Sequence, residues 1–447
     1  MVNHHDLDIV GDLPNEIAEI VLGNLDHQTL KACKLVSKRW REVASSQYTW
    51  GRAFRSRYGP VHYAEPAPIQ MGGLGIGVDG KPNQDWYNMY KVRNQLEHRW
   101  QQGVQGPAAV YFSGHTDSVY CCQFDEEKII TGSRDRTIRV WDMNNFGCIK
   151  VIGGPAAKPV APADGTQPLA VHQTATISAL ASVNGTPEGD AIWHVPEDYH
   201  EASILCLMYD DEILVTGSSD ATCIVWDIKD LKFKPIRRLT KHQTGVLDVC
   251  FDANYIISCS KDATICIWDR FTGNLIRQLN GHRGPVNAVQ LRGNLLVSAS
   301  GDGTAKLWDL KEGKVMKDFQ SRDRGLAAVE FSDDGTHVLA GGNDMSVYKY
   351  DCKTSKMVHL YKGHTDLVRS LFLDTANNHV LSGSYDQSMR LYEYESGNQI
   401  AVFEDWTTSW ILAAKCDYRR IVATSQDGRA LMLDFGSGLP NIDLLKG

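Results

Sequence analysis

A histidine, a hydroxyl residue and a carboxylate recur along this chain at fixed separations: His115, Thr131 and Asp135; His242, Ser258 and Asp262; His282, Ser298 and Asp302. These are the residue types of a nucleophilic relay, in which a carboxylate orients an imidazole that takes a proton from a hydroxyl. Such a relay is built once in a protein. Repeated copies, each with a tryptophan six residues past the aspartate (Trp141, Trp268, Trp308), point instead to a structural network in which buried polar groups satisfy one another. The other chemical signals are weaker. Gly75, Gly77 and Gly80 satisfy G-x-G-x-x-G, but a dinucleotide fingerprint needs a strand before it and a helix opening at it. Here Pro60, Pro66, Pro68 and Pro82 flank the glycines, so a loop is expected. His4-His5 has no further ligand partner within reach of the sequence pattern, and neither a metal nor a cofactor is expected. The eleven cysteines form no Cys-x-x-Cys pair, and Cys250, Cys259 and Cys266 sit in apolar runs. They read as reduced core residues, with no catalytic thiol among them.

The elements that carry the recurring set form a repeat. Tryptophan-aspartate or a worn version closes a unit at Trp141-Asp142, Trp226-Asp227, Trp268-Asp269, Trp308-Asp309, Tyr350-Asp351, Tyr392-Glu393 and Leu433-Asp434, at intervals of 85, 42, 40, 42, 42 and 41 residues. Within a unit, short β-branched and apolar runs such as Leu295 to Ala299 and Ala305 to Trp308 alternate with turn residues, the pattern of four strands, a to d. The period and a Gly-His about 27 residues before Trp-Asp, as at Gly114-His115 and Gly281-His282, resemble the WD40 repeat, one propeller blade per unit. In that family the His, Ser/Thr, Asp and Trp form a hydrogen-bonded tetrad. One strand pattern, Ala108 to Phe112, is spare before the first unit and one strand is missing at the end. The two together complete a seventh blade and leave no open sheet edge. The long interval holds a Pro-, Ala- and Gly-rich stretch at 153–199, read as an insertion rather than an eighth blade.

Ahead of the repeats, Asp12 is a candidate helix cap with Pro14 in the first turn, and Ile17, Ile20 and Val21 recur at helical spacing. Asp26 opens a second helix carrying Leu30, Cys33 and Val36, and Ser37 caps a third carrying Trp40 and Val43. Three short amphipathic helices leave apolar surface for a partner. Leu13-Pro14 and Val36-Ser37-Lys38-Arg39-Trp40-Arg41 resemble an F-box, placed at 12–54, a family whose partner is the Skp adaptor of cullin-RING ubiquitin ligases. The resemblance implies adaptor contacts at Leu13, Pro14, Ile17, Ile20, Leu22 and Leu25, with Trp40 serving the core. Residues 55–107 hold the glycine loop and a breaker-free run, Gln84 to Gln101, in which Trp86, Tyr90, Arg93, Leu96 and Trp100 mark one side of a linker helix. The expected architecture is multidomain: an all-α F-box and linker helix, then an all-β seven-bladed WD40 propeller at 108–437.

With 447 residues, 43% of them hydrophobic, and a net charge of -8, the chain can bury sizeable cores and lacks the basic field of a general nucleic-acid or membrane binder. No secretory signal or 18-residue apolar run is legible, so a cytoplasmic or nuclear protein is expected. Against the acidic background, Arg134, Lys261, Arg324 and Arg369 fall on loops of one propeller end, with Asp117 and Asp366 nearby. Guanidinium groups suit phosphate. Repeat text such as Val119 to Asp125 with Gly132-Ser133-Arg134-Asp135, and His200 to Tyr209, is similar to the β-TrCP type of F-box/WD40 receptor, which reads doubly phosphorylated degrons. That similarity spans the F-box and all seven repeats and implies substrate contacts at Tyr120, Arg134, Ser203, Lys261, Arg324 and Arg369. Ser409-Trp410 stands where the family has a further arginine, and Trp410 is expected to offer an apolar contact. The implied role is a non-catalytic, monomeric substrate receptor of a Skp-cullin-F-box ligase that binds phosphorylated proteins. A non-degradative scaffold, or a binder of an unphosphorylated partner, is the alternative.

Overall fold

The computed structural model describes residues 8, 10–59, 72–78, 80, 81, 83–103, 107–155, 179–181, 192–321 and 325–447. Its first helices are α1 (Asn15–Leu22), α2 (His27–Cys33) and α3 (Lys38–Ser45). Two caps fall where the sequence places them: Asp26 accepts from the Gln28 and Thr29 amides, and Ser37 accepts from the Trp40 amide. The first does not. Pro14 itself is the N-cap residue of α1 and no side chain caps the helix, because Asp12 lies two positions too early. A fourth helix, α4 (Gln47–Tyr58), capped by Ser46, was not expected. Its signal was present in the Ser46 cap and in a run without helix breakers up to Gly59.

The linker helix α5 (Trp86–Gln102) is capped by Asp85 and stopped at Gly103, whose φ of 60° suits glycine. It buries Tyr90, Arg93, Leu96 and Trp100, the stripe that the sequence marks. On one side α5 meets α4, where His27, Trp50, Phe54 and Tyr90 pack ring against ring. On the other it meets the propeller, and a single apolar core runs from Leu22, Leu30 and Val43 through Leu96 to Leu391, Phe403 and Phe435.

Seven sheets stand around the axis among the described residues. Blade 1 has strands Val119–Phe124, Lys128–Ser133, Ile138–Asp142 and Cys148–Ile152 as a to d. Blades 2 to 6 repeat this antiparallel order, and blade 7 has Ile411–Cys416, Arg420–Ser425 and Arg429–Asp434. Its fourth strand is Ala108–Ser113, paired antiparallel from Ala108↔Asp434 to Ser113↔Arg429. The chain therefore closes its own ring. Of the 153–199 stretch, 156–178 and 182–191 lie outside the described residues. Its two described strands add a fifth, parallel strand to two neighbouring blades: Ala179–Ala181 to blade 7 and Ile192–His194 to blade 1.

The recurring polar set is the expected network. His115 joins Asp135 and Thr131, both at 2.8 Å, and Trp141 Nε1 donates to the Thr131 hydroxyl at 2.9 Å. The set recurs around His200, His242 and His282, and around His364 without the tryptophan. Burial alone would raise the Asp302 carboxyl, but hydrogen bonds from Arg283, Thr304 and His282 outweigh it and bring its pKa down to about 2. The contribution of that site to stability is complete above the ordinary carboxylate range and is lost as pH falls through about 2.

The glycine loop is explained by packing. Gly72 and Gly77 amides donate to Phe124 and Leu445 carbonyls at 3.0 and 3.1 Å. Gly75, at φ 70°, lies so close to the Tyr418 ring that a Cβ would meet it at 2.5 Å. All eleven cysteines are buried and unpaired.

Arg93 locks α5 to the ring. It is 4% exposed, donates to the Tyr418 carbonyl at 3.2 Å and to the Asn377 side chain, and lies between the Tyr58 and Tyr418 rings. Arg93→Met keeps the volume but strands the part-buried Asn377 acceptor and leaves the Tyr418 carbonyl with Trp100 as its one remaining side-chain donor, so urea denaturation should show a loss of about 1–3 kcal/mol. An unchanged midpoint would remove Arg93 from this role.

Candidate functional site

In an antiparallel blade the d-to-a and b-to-c connections share one end, and the a-to-b and c-to-d connections share the other. Helix α5 takes the second end. Arg93 and Trp100 reach the a-to-b turns of blades 6 and 7 at Asn377 and Tyr418, and Arg99 reaches the Phe435 and Ser437 carbonyls beyond strand c. The d-to-a end faces away from the helices, and no described helix covers it.

Its rim is built by one bond repeated seven times. The residue before each structural Asp donates its amide to the carbonyl of the residue that precedes strand a, from Arg134 to Ser118 in blade 1 to Gln426 to Trp410 in blade 7, at 2.8–3.1 Å. The side chains of these two positions, and of the second residue of strand a, are therefore held in register around the channel mouth.

The predicted residues distribute unevenly over this end. Arg134 and Lys261 are exposed on the rim, with the Arg134 guanidinium 3.7 Å from Asp117. Ser203 is half-buried in the rim of blade 2. Tyr120 and Arg369 line the channel itself. Trp410 is 41% exposed and stacks on Tyr385. Arg324 lies outside the described residues, as do His4-His5.

The channel, about 100 Å³, also holds groups that the sequence reading passed over: Asp248, Glu330 and Lys415. Their signal is an ionisable residue inside an innermost strand that is otherwise apolar. Burial pushes the Asp248 carboxyl to about 6 and, against Arg292 and Lys415, the Glu330 carboxyl to about 8. Glu330 thus favours its neutral form near neutrality.

At the helical end the surface is apolar. Pro14 and Ile17 of the expected adaptor contacts are exposed, Ile17 at 45%. Leu13 and Leu25 pack against the core while remaining partly exposed, and Ile20 is half-buried. Leu22 is 1% exposed and belongs to the core of the subdomain, so it offers no surface. Helical spacing alone could not separate the inner stripe from the outer one in a helix of eight residues. Among the described residues the most exposed apolar side chain is Leu35, at 81%, and Val36 and Val21 of the same unit are exposed as well. Val36, read from spacing as part of the inner stripe, turns outward because α2 ends at Cys33.

Comparison with known proteins fits both ends. Residues 10–56 match the F-box-like family model. Six stretches between 107 and 393 match the model for the WD domain, G-beta repeat. The chain is an F-box/WD40-repeat protein. It is similar to the F-box/WD repeat-containing protein lin-23 of Caenorhabditis elegans, 24% identical over 179 residues, 33% of this chain and 27% of the relative. It is also similar to the probable E3 ubiquitin ligase complex SCF subunit sconB of Arthroderma benhamiae, 28% identical over 157 residues, 31% of this chain and 23% of the relative. The F-box and WD repeat domain-containing protein 11-A of Danio rerio is 28% identical over 154 residues, 31% and 27% of the two chains. The aligned part spans about a quarter of the length of these curated relatives. In fold, the chain resembles the WD40 propeller of Doa1, with a TM-score of 0.57 and 21% identity over 74% of this chain and 96% of that one.

The raised Glu330 carboxyl gives a prediction with a definite sign. A group whose pKa is higher folded than unfolded contributes most below the unfolded value, and that contribution is lost as pH rises through about 8. Glu330→Gln mimics the neutral form. Relative to the parent, its unfolding free energy should rise between about pH 5 and pH 8, by at most about 1.4 kcal/mol per pH unit. Urea titrations at three pH values check this; a pH-independent difference would contradict it.

Proposed function

We propose that this protein is the substrate-recognition subunit of a Skp-cullin-F-box ubiquitin ligase. In this reading the exposed apolar surface around Pro14, Ile17 and Leu35 docks the adaptor, and the d-to-a end holds a phosphorylated protein. The observation that carries the proposal is the opposition of these two surfaces on one continuous core. An apolar docking patch lies at one end, Arg134, Lys261 and Arg369 lie at the other, and a buried arginine fixes the helix between them. The similarity to a protein named as an SCF subunit supports the adaptor half.

Phosphate is favoured as the ligand on the face because it carries about -1.5 to -2 charge and three acceptor oxygens, which arginine and lysine side chains on a rigid rim can meet together. The protein's part is positioning: it contributes no bond-making group, and a stiff connection sets how far a held substrate lies from whatever the adaptor recruits. One observation favours a second reading for the face. Asp117 stands 3.7 Å from Arg134 and offsets part of its charge, as suits an unphosphorylated, merely acidic partner.

Affinity capture of three tagged chains tests both halves. Ile17→Asp with Leu35→Asp should reduce recovery of adaptor and cullin at least about tenfold, since each change places a charge in an apolar contact worth about 1–2 kcal/mol or more. Arg134→Ala with Arg369→Ala should leave adaptor recovery unchanged and remove a separate, phosphatase-sensitive set of proteins. Absence of adaptor from the unaltered chain would sink the ligase assignment. Phosphatase-insensitive partners on the face would favour the second reading.

A further inference from the structure

The residues that precede strand a are small in five blades, Ser118, Ser203, Gly245, Pro285 and Gly325, and large in two, Leu367 and Trp410. Trp410 rises from this low ring with 41% of its surface exposed. Tyr385, from the b-to-c turn of blade 6, stacks against it with ring centroids 4.3 Å apart and planes 9° from parallel. Both backbones belong to the repeated rim bonds: the Tyr385 amide donates to Leu367 at 3.0 Å, and the Gln426 amide donates to Trp410 at 3.1 Å. Ser409 adds a hydroxyl bond to the Gln426 side chain at 3.1 Å. The pair is therefore a fixed flat plate, and little freedom is lost when something lies on it.

Two ligand chemistries suit an indole surface: a cation over the ring or a flat apolar group against it. A cation would need carboxylates near the plate that are free to pair with it. Three carboxylates of this rim already have partners, Asp366 among them, which accepts the Leu367 amide at 2.6 Å. Asp427 accepts from the Ser425 and Thr408 hydroxyls and the Arg429 amide, and Asp117 faces Arg134. The cations around the mouth, Lys261, Arg134 and Arg369, outnumber the exposed Asp366 and the Asp117 that faces Arg134, and the balance repels a cationic side chain and draws an anionic peptide.

We propose that the Tyr385–Trp410 plate is a specificity subsite for a flat apolar side chain, proline or an aromatic, in the peptide whose anionic group the rim cations hold. The inference rests on the receptor reading above and adds to it. The recognised motif combines one acidic or phosphorylated residue with one flat apolar residue at a fixed offset, and the plate confers the second half of that selectivity.

The test uses the full chain and two degenerate peptide libraries, one with a single fixed phosphoserine and one with serine at that place. The unaltered protein should enrich proline, phenylalanine, tyrosine or tryptophan at one offset from the fixed residue. Trp410→Ala should lose that enrichment, keep its dependence on the fixed residue, and bind the best selected peptide roughly five- to tenfold more weakly by fluorescence anisotropy. Trp410→Phe should retain most of the enrichment, and thermal midpoints of both variants should match the parent. If only the serine library yields binders, the phosphate reading fails while the plate is decided within that library by the same comparison. The proposal is overturned if neither library gives a flat apolar preference that Trp410→Ala removes, or if arginine, lysine or a second acidic residue is selected at that offset.

Discussion

The hydrophobic core shared between the helices and blades 6 and 7 is the constraint on which the rest of the arrangement depends. A four-helix unit of this size buries little of its own surface and is marginal alone. Its inner residues Leu22, Leu30 and Val43 instead continue through Leu96 into Leu391 and Phe403. The helices thus have no freedom to sit elsewhere on the ring without exposing apolar surface. The polar contacts of Arg93, Arg99 and Trp100 with backbone carbonyls of blade 7 then fix the angle that the apolar contacts leave open.

This arrangement separates two kinds of work. At the end that carries the helices, α5 and the glycine run pack on the loops of blades 6, 7 and 1. The opposite end carries the repeated rim bonds and is covered by none of the described helices. Seven copies of one backbone bond hold fourteen side-chain positions in a fixed circle, so the character of the face can change by substitution at those positions without disturbing the sheets beneath. Trp410 and Tyr385 are one result of that freedom, and the small residues of blades 1 to 5 are another.

Much of this was legible in the sequence, for reasons that differ by element. The tetrads were legible because their spacing recurs, and recurrence itself argued against a catalytic relay. The closing strand at Ala108 was legible because one strand pattern was spare before the first unit and one strand was missing after the last. Two of three helix caps were correct where Asp26 and Ser37 have a carboxylate or hydroxyl next to the helix start, and the first failed because proline took the cap position. Helix α4 was missed although Ser46 marked it. The inner and outer faces of α1 were not separable because two turns give too few positions to define a stripe, which is why Leu22 was counted as surface. Leu35 was not counted at all, since it lies just past the end of α2. The channel acids Asp248 and Glu330 were not legible because an apolar strand pattern marks which residues are buried and not which of them face the channel.

The strand that closes the ring also decides how the molecule bears load. Ala108–Ser113 follows directly from the linker helix and is held along its whole length by pairing with Arg429–Asp434. The share of a pull between the helical end and the opposite end that the linker transmits runs along this strand, not across it. The backbone bonds of the pair are then strained together in shear, whereas a hairpin pulled open from one end would break them in turn. The seam between the two ends of the chain is therefore oriented to resist tension along the axis that joins the two working ends of the molecule.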